Sequence, residues 1–327
     1  MRKINIGLIG LGNVGSELYK MLQKESRRFQ VLKVAVRDKN KERKVDVDKN
    51  LFTENASEII FNPDIDVVLD ASNDAPENIF ERITRKKERV PKIVFKHYIL
   101  ASKKTMAFYG REILSFAKEN NIEIGFEATV CAGIPIVRLL REGHIPEKII
   151  EVGGILNGTT NYILTKMHEG KNYEDALCEA QKLGFAEADP TEDVSGLDSA
   201  CKLIILSGLC FGKWLKLENV DICGIDNFSQ KAIENEKKSG NKYRLAASAI
   251  LFRKSPLKLK IEPRVCAGEN EMTRKLKGTE GVENLVYIKT GTRTLYLFGP
   301  GAGGEITAAA MMSDLNYITE KLKGGET

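Results

Sequence analysis

The segment GFAEADPTEDVSGLDSACKLIILSGL, Gly184 to Leu209, sets five carboxylates, Glu187, Asp189, Glu192, Asp193 and Asp198, ahead of one lysine, Lys202. An ammonium beside carboxylates is the equipment of proton transfer and ion binding. A helix starting near Leu197 places Asp198 and Lys202 four residues apart on one face, one turn from its start. Leu203, Ile204, Ile205 and Leu206 follow at once, so the helix is apolar on most sides and reads as buried, where an unpaired ammonium is costly. The simplest reading is a surface Asp–Lys pair at a helix start. The alternative is an ammonium compensated inside a site.

A second chemical pattern opens the chain. Ile4 to Ile9 reads as a short apolar strand that runs into Gly10-Leu11-Gly12-Asn13-Val14-Gly15 and then a helical pattern through Leu22. GxGxxG between a strand and a helix permits a tight turn, the approach of a pyrophosphate and close helix packing, with free N–H groups at the helix start for phosphate. A plain glycine turn is the competing reading. A strand over 31–36 ends in Arg37-Asp38-Lys39, near the ~20-residue offset at which such folds meet the adenosine ribose. Arg37 there matches a 2′-phosphate; a one-residue shift would present Asp38 to the ribose instead, and Lys39 reads equally as a solvated charge. A third strand, 65–69, stops at Asp70-Ala71-Ser72-Asn73, so Ser72 and Asn73 either face the ligand or cap the next helix.

These groups have to be positioned by a larger frame. Strand-like 98–101 ends at Ser102-Lys103-Lys104; a helix over 109–118 and a strand over 122–126 continue the alternation of β and α that defines an open parallel sheet. After Glu127-Ala128-Thr129-Val130-Cys131-Ala132-Gly133-Ile134-Pro135 the pattern changes to helices near 173–183 and 197–211 and strands near 243–253, 257–265 and 293–298. The expected division is residues 1–130 plus 305–327 as a doubly wound dinucleotide-binding domain, and 131–304 as an α+β domain. A glycine-rich turn, 299–304, leads into a helix from Glu305 to Leu322 that packs back on the first domain. That turn is either a connection or a second approach to the cofactor through Gly303 and Glu305.

Bulk properties exclude other classes. At 327 residues two cores are expected. No apolar run nears the ~20 residues that cross a bilayer, and the first residues show no cleavable-signal pattern, so the expectation is a cytoplasmic protein. The net charge of +5 is spread, with short basic clusters such as Arg85 to Arg89, which argues against nucleic acid. Six cysteines without a CxxC pair and three histidines without HExxH spacing do not support zinc. Reduced, structural thiols are the expectation.

Three blocks, GGILNGTTNYILTKM (153–167), KLGFAEADPTEDVSGLDSACK (182–202) and GPGAGGEITAAAMMSDL (299–315), together with the opening GxGxxG, resemble homoserine dehydrogenase over about residues 4–320. The resemblance implies NAD(P)-dependent interconversion of L-homoserine and L-aspartate 4-semialdehyde, in threonine and methionine biosynthesis, by a homodimer built through the middle domain. It makes Lys202, in GLDxxxK, the acid/base. Glu187 and Asp198 then hold the substrate ammonium with Asp193 behind them, while Glu192 belongs to a solvated face. Lys103 matches the lysine of the family's T-A-N-K and would reach the substrate beside the cofactor, with Ser102 replacing the usual asparagine and Lys104 a solvated neighbour. Asn157, Gly158 and Thr159 match the turn that lines the substrate pocket. EATVCAGIP matches a loop that in relatives holds a monovalent cation such as Na⁺ on main-chain oxygens, here those of Glu127, Val130, Ala132 and Ile134; a bare hinge is the alternative. The cofactor set is then Gly10, Gly12, Asn13, Val14, Gly15, Arg37, Ser72, Asn73, Lys103, Gly303 and Glu305, with NADP preferred and NAD possible. No kinase segment and no regulatory domain is expected. Two other readings compete: another NAD(P)-dependent amino-acid dehydrogenase of similar architecture, such as the diaminopimelate type, which lacks GLDxxxK, and a nucleotide-sensing homologue without chemistry.

Overall fold

The computed structural model describes residues 2–85, 95–252 and 255–324. They divide into two compact units, Met1–Ala132 with Gly303–Thr327, and Gly133–Ala302. In chain order the first unit comprises β1 (Ile4–Ile9), α1 (Asn13–Lys24), β2 (Phe29–Ala35), β3 (Phe52–Thr53), α2 (Ser57–Ile60), β4 (Val67–Asp70), α3 (Pro76–Thr84), β5 (His97–Leu100), α4 (Lys103–Glu119) and β6 (Ile124–Gly125). The strands form one parallel sheet in the order β3-β2-β1-β4-β5-β6. The order reverses beside β1, and in such sheets a ligand binds outside the carboxyl ends of the strands at that point.

The second unit runs α5 (Ile136–Arg141), β7 (Ile149–Ile155), α6 (Gly158–Glu169), α7 (Tyr173–Lys182), α8 (Thr191–Val194), α9 (Leu197–Phe211), β8 (Val220–Ile222), α10 (Gln230–Lys238), β9 (Lys242–Ile250), β10 (Lys258–Cys266), α11 (Glu271–Gly278), β11 (Glu283–Thr290) and β12 (Thr294–Pro300). Its mixed sheet has the order β12-β11-β7-β9-β10-β8. The architecture is therefore a Rossmann-type parallel sheet with a second α+β unit. The chain then returns through α12 (Gly304–Gly324) to the first unit. Ala308, Met311, Met312, Leu315 and Ile318 of α12 share one core with Leu18, Tyr19 and Leu22 of α1.

Several elements depart from the sequence expectation. The helix expected from Tyr109 begins at Lys103, because Ser102 accepts a hydrogen bond from the N–H of Thr105 at 3.3 Å and so caps it. Ser72 and Asn73 do not cap α3, which starts at Pro76 after Ala75 with no side-chain cap. Of the basic run Arg85–Arg89, Lys86 to Arg89 lie outside the described residues. Arg85 is buried and donates to the oxygen of Ile60 at 2.6 Å, so it is no surface charge. Among the described residues no helix is long and apolar enough to cross a membrane, and the cysteines are free, with Cys131, Cys201 and Cys266 buried and Cys178 and Cys223 exposed.

Candidate active site

The glycine turn is built to receive something. Gly10 adopts φ +86°, and a Cβ on it would lie 2.7 Å from the main-chain nitrogen of Ser72, so only glycine closes the turn against the end of β4. Gly12 is the opposite case: an added Cβ would meet no atom within 4 Å. The side of the turn where a pyrophosphate would approach is left open. The first turn of α1 carries no acidic residue, so its partial positive charge stays available to phosphate. Asn13 is exposed and Val14 half-buried over this helix start. A Cβ on Gly304 would come within 3.3 Å of the oxygen of Asn13, which sets Gly303 and Glu305 beside the same turn. The residues present fit a dinucleotide.

At the end of β2 the exposed Arg37 donates through Nη2 to Asp74 Oδ1 at 2.9 Å and to the oxygen of Asn73 at 3.2 Å. Asp38 is turned away into its own loop, accepting from the N–H of Asn40 at 2.8 Å, and the Lys39 N–H donates to Glu54. Asp74 also accepts from Arg82, whose Nη1 donates to Asp70 Oδ2 at 2.7 Å. Asp70 is fully buried and further accepts from the Tyr98 hydroxyl at 2.5 Å and the Ser72 hydroxyl at 2.6 Å. Burial and the Asp70 charge hold the Tyr98 phenol well above its ordinary range, so it stays a donor. Asp70 shows in the sequence as a polar strand end, but its meeting with Asp74 and Arg82 had no sequence signal, since it depends on how β4, β5 and α3 are laid side by side.

In the second unit the carboxylates and lysine converge. Lys202 Nζ lies 2.8 Å from Asp198 Oδ2 and donates to the main-chain oxygen of Leu156 at 2.7 Å. The lysine side chain is 10% exposed and the aspartate 4%, which overturns the surface-pair reading. The ammonium thus spends two of its three N–H groups on protein. Asn157, also buried, donates through Nδ2 to Asp193 at 2.7 Å and to Asp198 at 2.8 Å, while its oxygen accepts from the N–H of Thr160 at 2.8 Å and caps α6. Its carboxamide is therefore committed to protein partners. The Thr159 hydroxyl is committed too, to the oxygen of Phe185 at 2.7 Å, and Gly158 starts α6 close to Val282.

The remaining expected residues lie on other elements. Glu187 is exposed, and its main-chain oxygen accepts from Gln181 at 3.1 Å. Asp189 caps the turn at Thr191 through Oδ1, 2.6 Å from the hydroxyl, and Glu192 is exposed. Lys103 is half-buried at the first position of α4. Glu127, Val130 and Ala132 of the first unit are buried, Glu127 donating its N–H to Asp314 Oδ2 at 2.8 Å, and Ile134 is buried in the second.

Known proteins match both units. A family model described as homoserine dehydrogenase, NAD binding domain, matches residues 10–127, and one described as homoserine dehydrogenase matches 135–315. The homoserine dehydrogenase of Bacillus subtilis (strain 168) is 37% identical over 339 residues, covering 100% of this chain and 75% of the relative. A crystal structure of a homoserine dehydrogenase from Thiobacillus denitrificans superposes with a TM-score of 0.84 at 30% identity, covering 99% of this chain and 75% of that one. A hyperthermophilic archaeal homoserine dehydrogenase in complex with NADPH gives 0.74 at 28% identity, covering 98% of each.

The open glycine turn on a parallel sheet, joined to a unit holding a buried lysine among carboxylates, defines an oxidoreductase that uses a nicotinamide dinucleotide. Within that class the matched family models and relatives are specific, and the chain belongs to the homoserine dehydrogenase family. This decides against a different amino-acid dehydrogenase and against a homologue without chemistry.

Proposed function

We propose that Lys202 is the acid/base of the reaction, and the observation that carries this is its anchoring. With two N–H groups held by Leu156 and Asp198, the remaining one has a fixed direction in which to meet a substrate oxygen. The nicotinamide, when bound, supplies the hydride acceptor or donor. In the oxidation the neutral amine of Lys202 takes the hydroxyl proton of homoserine on the lone pair that points in that direction and becomes the ammonium; in the reverse direction the ammonium gives that proton to the aldehyde oxygen and becomes the amine again. Lys103 reaches the same oxygen or the substrate carboxylate. Glu187, Asp198 and Asp193 attract the substrate ammonium, and because the side chains of Asn157 and Thr159 are occupied, the turn at 157–159 serves the pocket through its main chain and by holding the carboxylates.

The cofactor in this reading is NADP(H) ahead of NAD(H), because the loop leaving β2 carries Arg37 toward Asn73 and Asp74 while Asp38 faces its own loop. Gly10, Gly12, Asn13, Val14 and Gly15 receive the pyrophosphate, with Ser72, Asn73, Gly303 and Glu305 around it. A monovalent cation on main-chain oxygens along 127–134 belongs to the same proposal, since carbonyls are hard ligands that suit such an ion. Threonine and methionine biosynthesis is the pathway, and the cytoplasm, where free thiols persist, is the compartment.

The assembly is a homodimer through the second unit. Its sheet carries α9 on the face of Ile261, while on the other face α11 covers Leu285 and Tyr287 through Leu276 and leaves Glu151, Glu262 and Arg264 part-exposed for a second copy. Exchange between isologous copies of such a face is the simplest closed assembly. The test of the whole reading is nicotinamide absorbance with homoserine and either cofactor, in buffers with and without Na⁺ or K⁺. Absence of homoserine-dependent reduction sinks it, and a sedimenting species of 36.4 kDa at micromolar concentration sinks the dimer.

A further inference from the structure

We propose that Asp74 sets how strongly the enzyme discriminates between the two dinucleotides, by tethering Arg37 and offsetting its charge. The inference rests on Arg37 as the reader of a 2′-phosphate. Arg37 is 77% exposed at its side chain, yet its Nη2 is taken by Asp74 Oδ1 at 2.9 Å and by the oxygen of Asn73 at 3.2 Å. The other oxygen of Asp74 binds Arg82, and Arg82 continues to Asp70. Along this row the charges alternate, Arg37, Asp74, Arg82, Asp70, and cancel. A phosphate arriving at Arg37 therefore meets a row whose own charges are already balanced, competes with Asp74 for the same nitrogen, and has a carboxylate as neighbour. NAD(H), lacking that phosphate, has no such conflict.

The position of Asp74 in the row makes it the adjustable member. Asp70 is fully buried and saturated by Arg82, Tyr98 and Ser72, so it secures the end of β4 and not the ligand. Asp74 is 21% exposed on its side chain and stands between the largely buried Arg82 and the exposed guanidinium of Arg37. Although burial works against its charge, hydrogen bonds from Arg37 and Arg82 hold its carboxyl below the ordinary range, so it is a carboxylate at any working pH.

The experiment compares kcat/KM for NADP(H) and NAD(H) in the wild type, Asp74→Asn, Arg37→Ala and the double variant, with NADPH and NADH binding by fluorescence at low and high salt. Asp74→Asn is expected to raise the NADP(H) to NAD(H) ratio about fivefold, the size of one partly exposed charge pair, with the gain shrinking in high salt. In the Arg37→Ala background the same substitution leaves the ratio unchanged. A ratio that stays constant or falls in Asp74→Asn, or that rises equally without Arg37, overturns the inference while Arg37→Ala can still lower the ratio and uphold the phosphate reader. If Arg37→Ala alone leaves the ratio untouched, the reader itself is lost and this inference with it. Should Asp74→Asn not fold, Asp74→Ser removes the same charge and is read by the same ratio.

Discussion

Asn157 and Asp198 stand forty-one residues apart in the chain and are joined by a hydrogen bond of 2.8 Å, with the second amide proton of Asn157 given to Asp193 at 2.7 Å. The same carboxamide caps α6 through its oxygen. One side chain thus fixes a helix start and two carboxylates, and the two duties can be separated. Asn157→Ser keeps an oxygen that can cap and loses both amide donors; Asn157→Ala loses everything. The alanine variant is expected to be less stable than the serine variant by about 1 kcal/mol, while both lose turnover to a similar degree. Urea unfolding beside steady-state kinetics checks this, and full activity in the serine variant would show that the amide donors are idle.

Lys202→Ala removes the proton carrier but leaves an apolar-compatible side chain in α9, so the helix persists. Turnover is expected to fall by roughly 10² to 10⁴ with dinucleotide binding retained. Near wild-type kcat would end the assignment of Lys202. Substrate affinity shifts as well, since Asp198 loses its ion-pair partner at 2.8 Å while keeping the hydrogen bond from Asn157.

Gly12→Ala separates folding from cofactor binding. Because an added Cβ meets no atom within 4 Å, the variant should unfold at nearly the wild-type temperature. Its dissociation constant for NADPH should nevertheless rise by roughly tenfold or more, equal to about 1.4 kcal/mol, since the methyl occupies the approach of the pyrophosphate. Unchanged affinity, measured by fluorescence titration, would mean that the dinucleotide crosses the turn elsewhere.

His168 gives the fold an acid limit. Its Nε2 accepts from the N–H of Tyr243 at 2.8 Å, so the ring is neutral, and burial first, then the charges of Arg244, Lys242 and Lys237, push its pKa down to about 4 against a weaker opposite pull from Glu280. The unfolded ring takes a proton near 6.5, which the folded one refuses until about 4. Stability from this group is therefore complete above about pH 6.5 and is lost progressively as pH falls toward 4. Chemical unfolding of wild type and His168→Gln at pH 7.5 and 4.5 should show the gap between them closing toward acid; a gap independent of pH refutes it.

The first unit was readable because each of its signals is local: an apolar run, a glycine turn, an amphipathic helix, repeated. Asp198 and Lys202 were readable as a pair for the same reason, since four residues on a helix is a fixed distance. What escaped was α6, which is buried on nearly every side and so shows little periodicity, and β7, where Gly153 and Gly154 interrupt the strand signal. β11 and α11 escaped alongside them, the helix being only eight residues long with charges along it and the strand carrying Glu283 and Lys289 near its ends. In the site, the lysine's second anchor is a main-chain oxygen, and carbonyls leave no trace in residue type. Asp70 to Arg82 to Asp74 is a tertiary meeting of three elements, which none of its members signals alone.

The return of α12 to α1 has a consequence for biosynthesis on the ribosome. Synthesis delivers Leu18, Tyr19 and Leu22 first and their partners Ala308, Met311, Leu315 and Ile318 only after the whole second unit has emerged. At common elongation rates that interval is roughly 15 to 60 s. During it the parallel sheet waits with one apolar flank bare, while Gly133–Ala302, continuous in sequence, already holds everything its own core requires. The unit that begins the chain is thus the later one to be completed, and a chaperone that shields nascent apolar surface has its target and its time there.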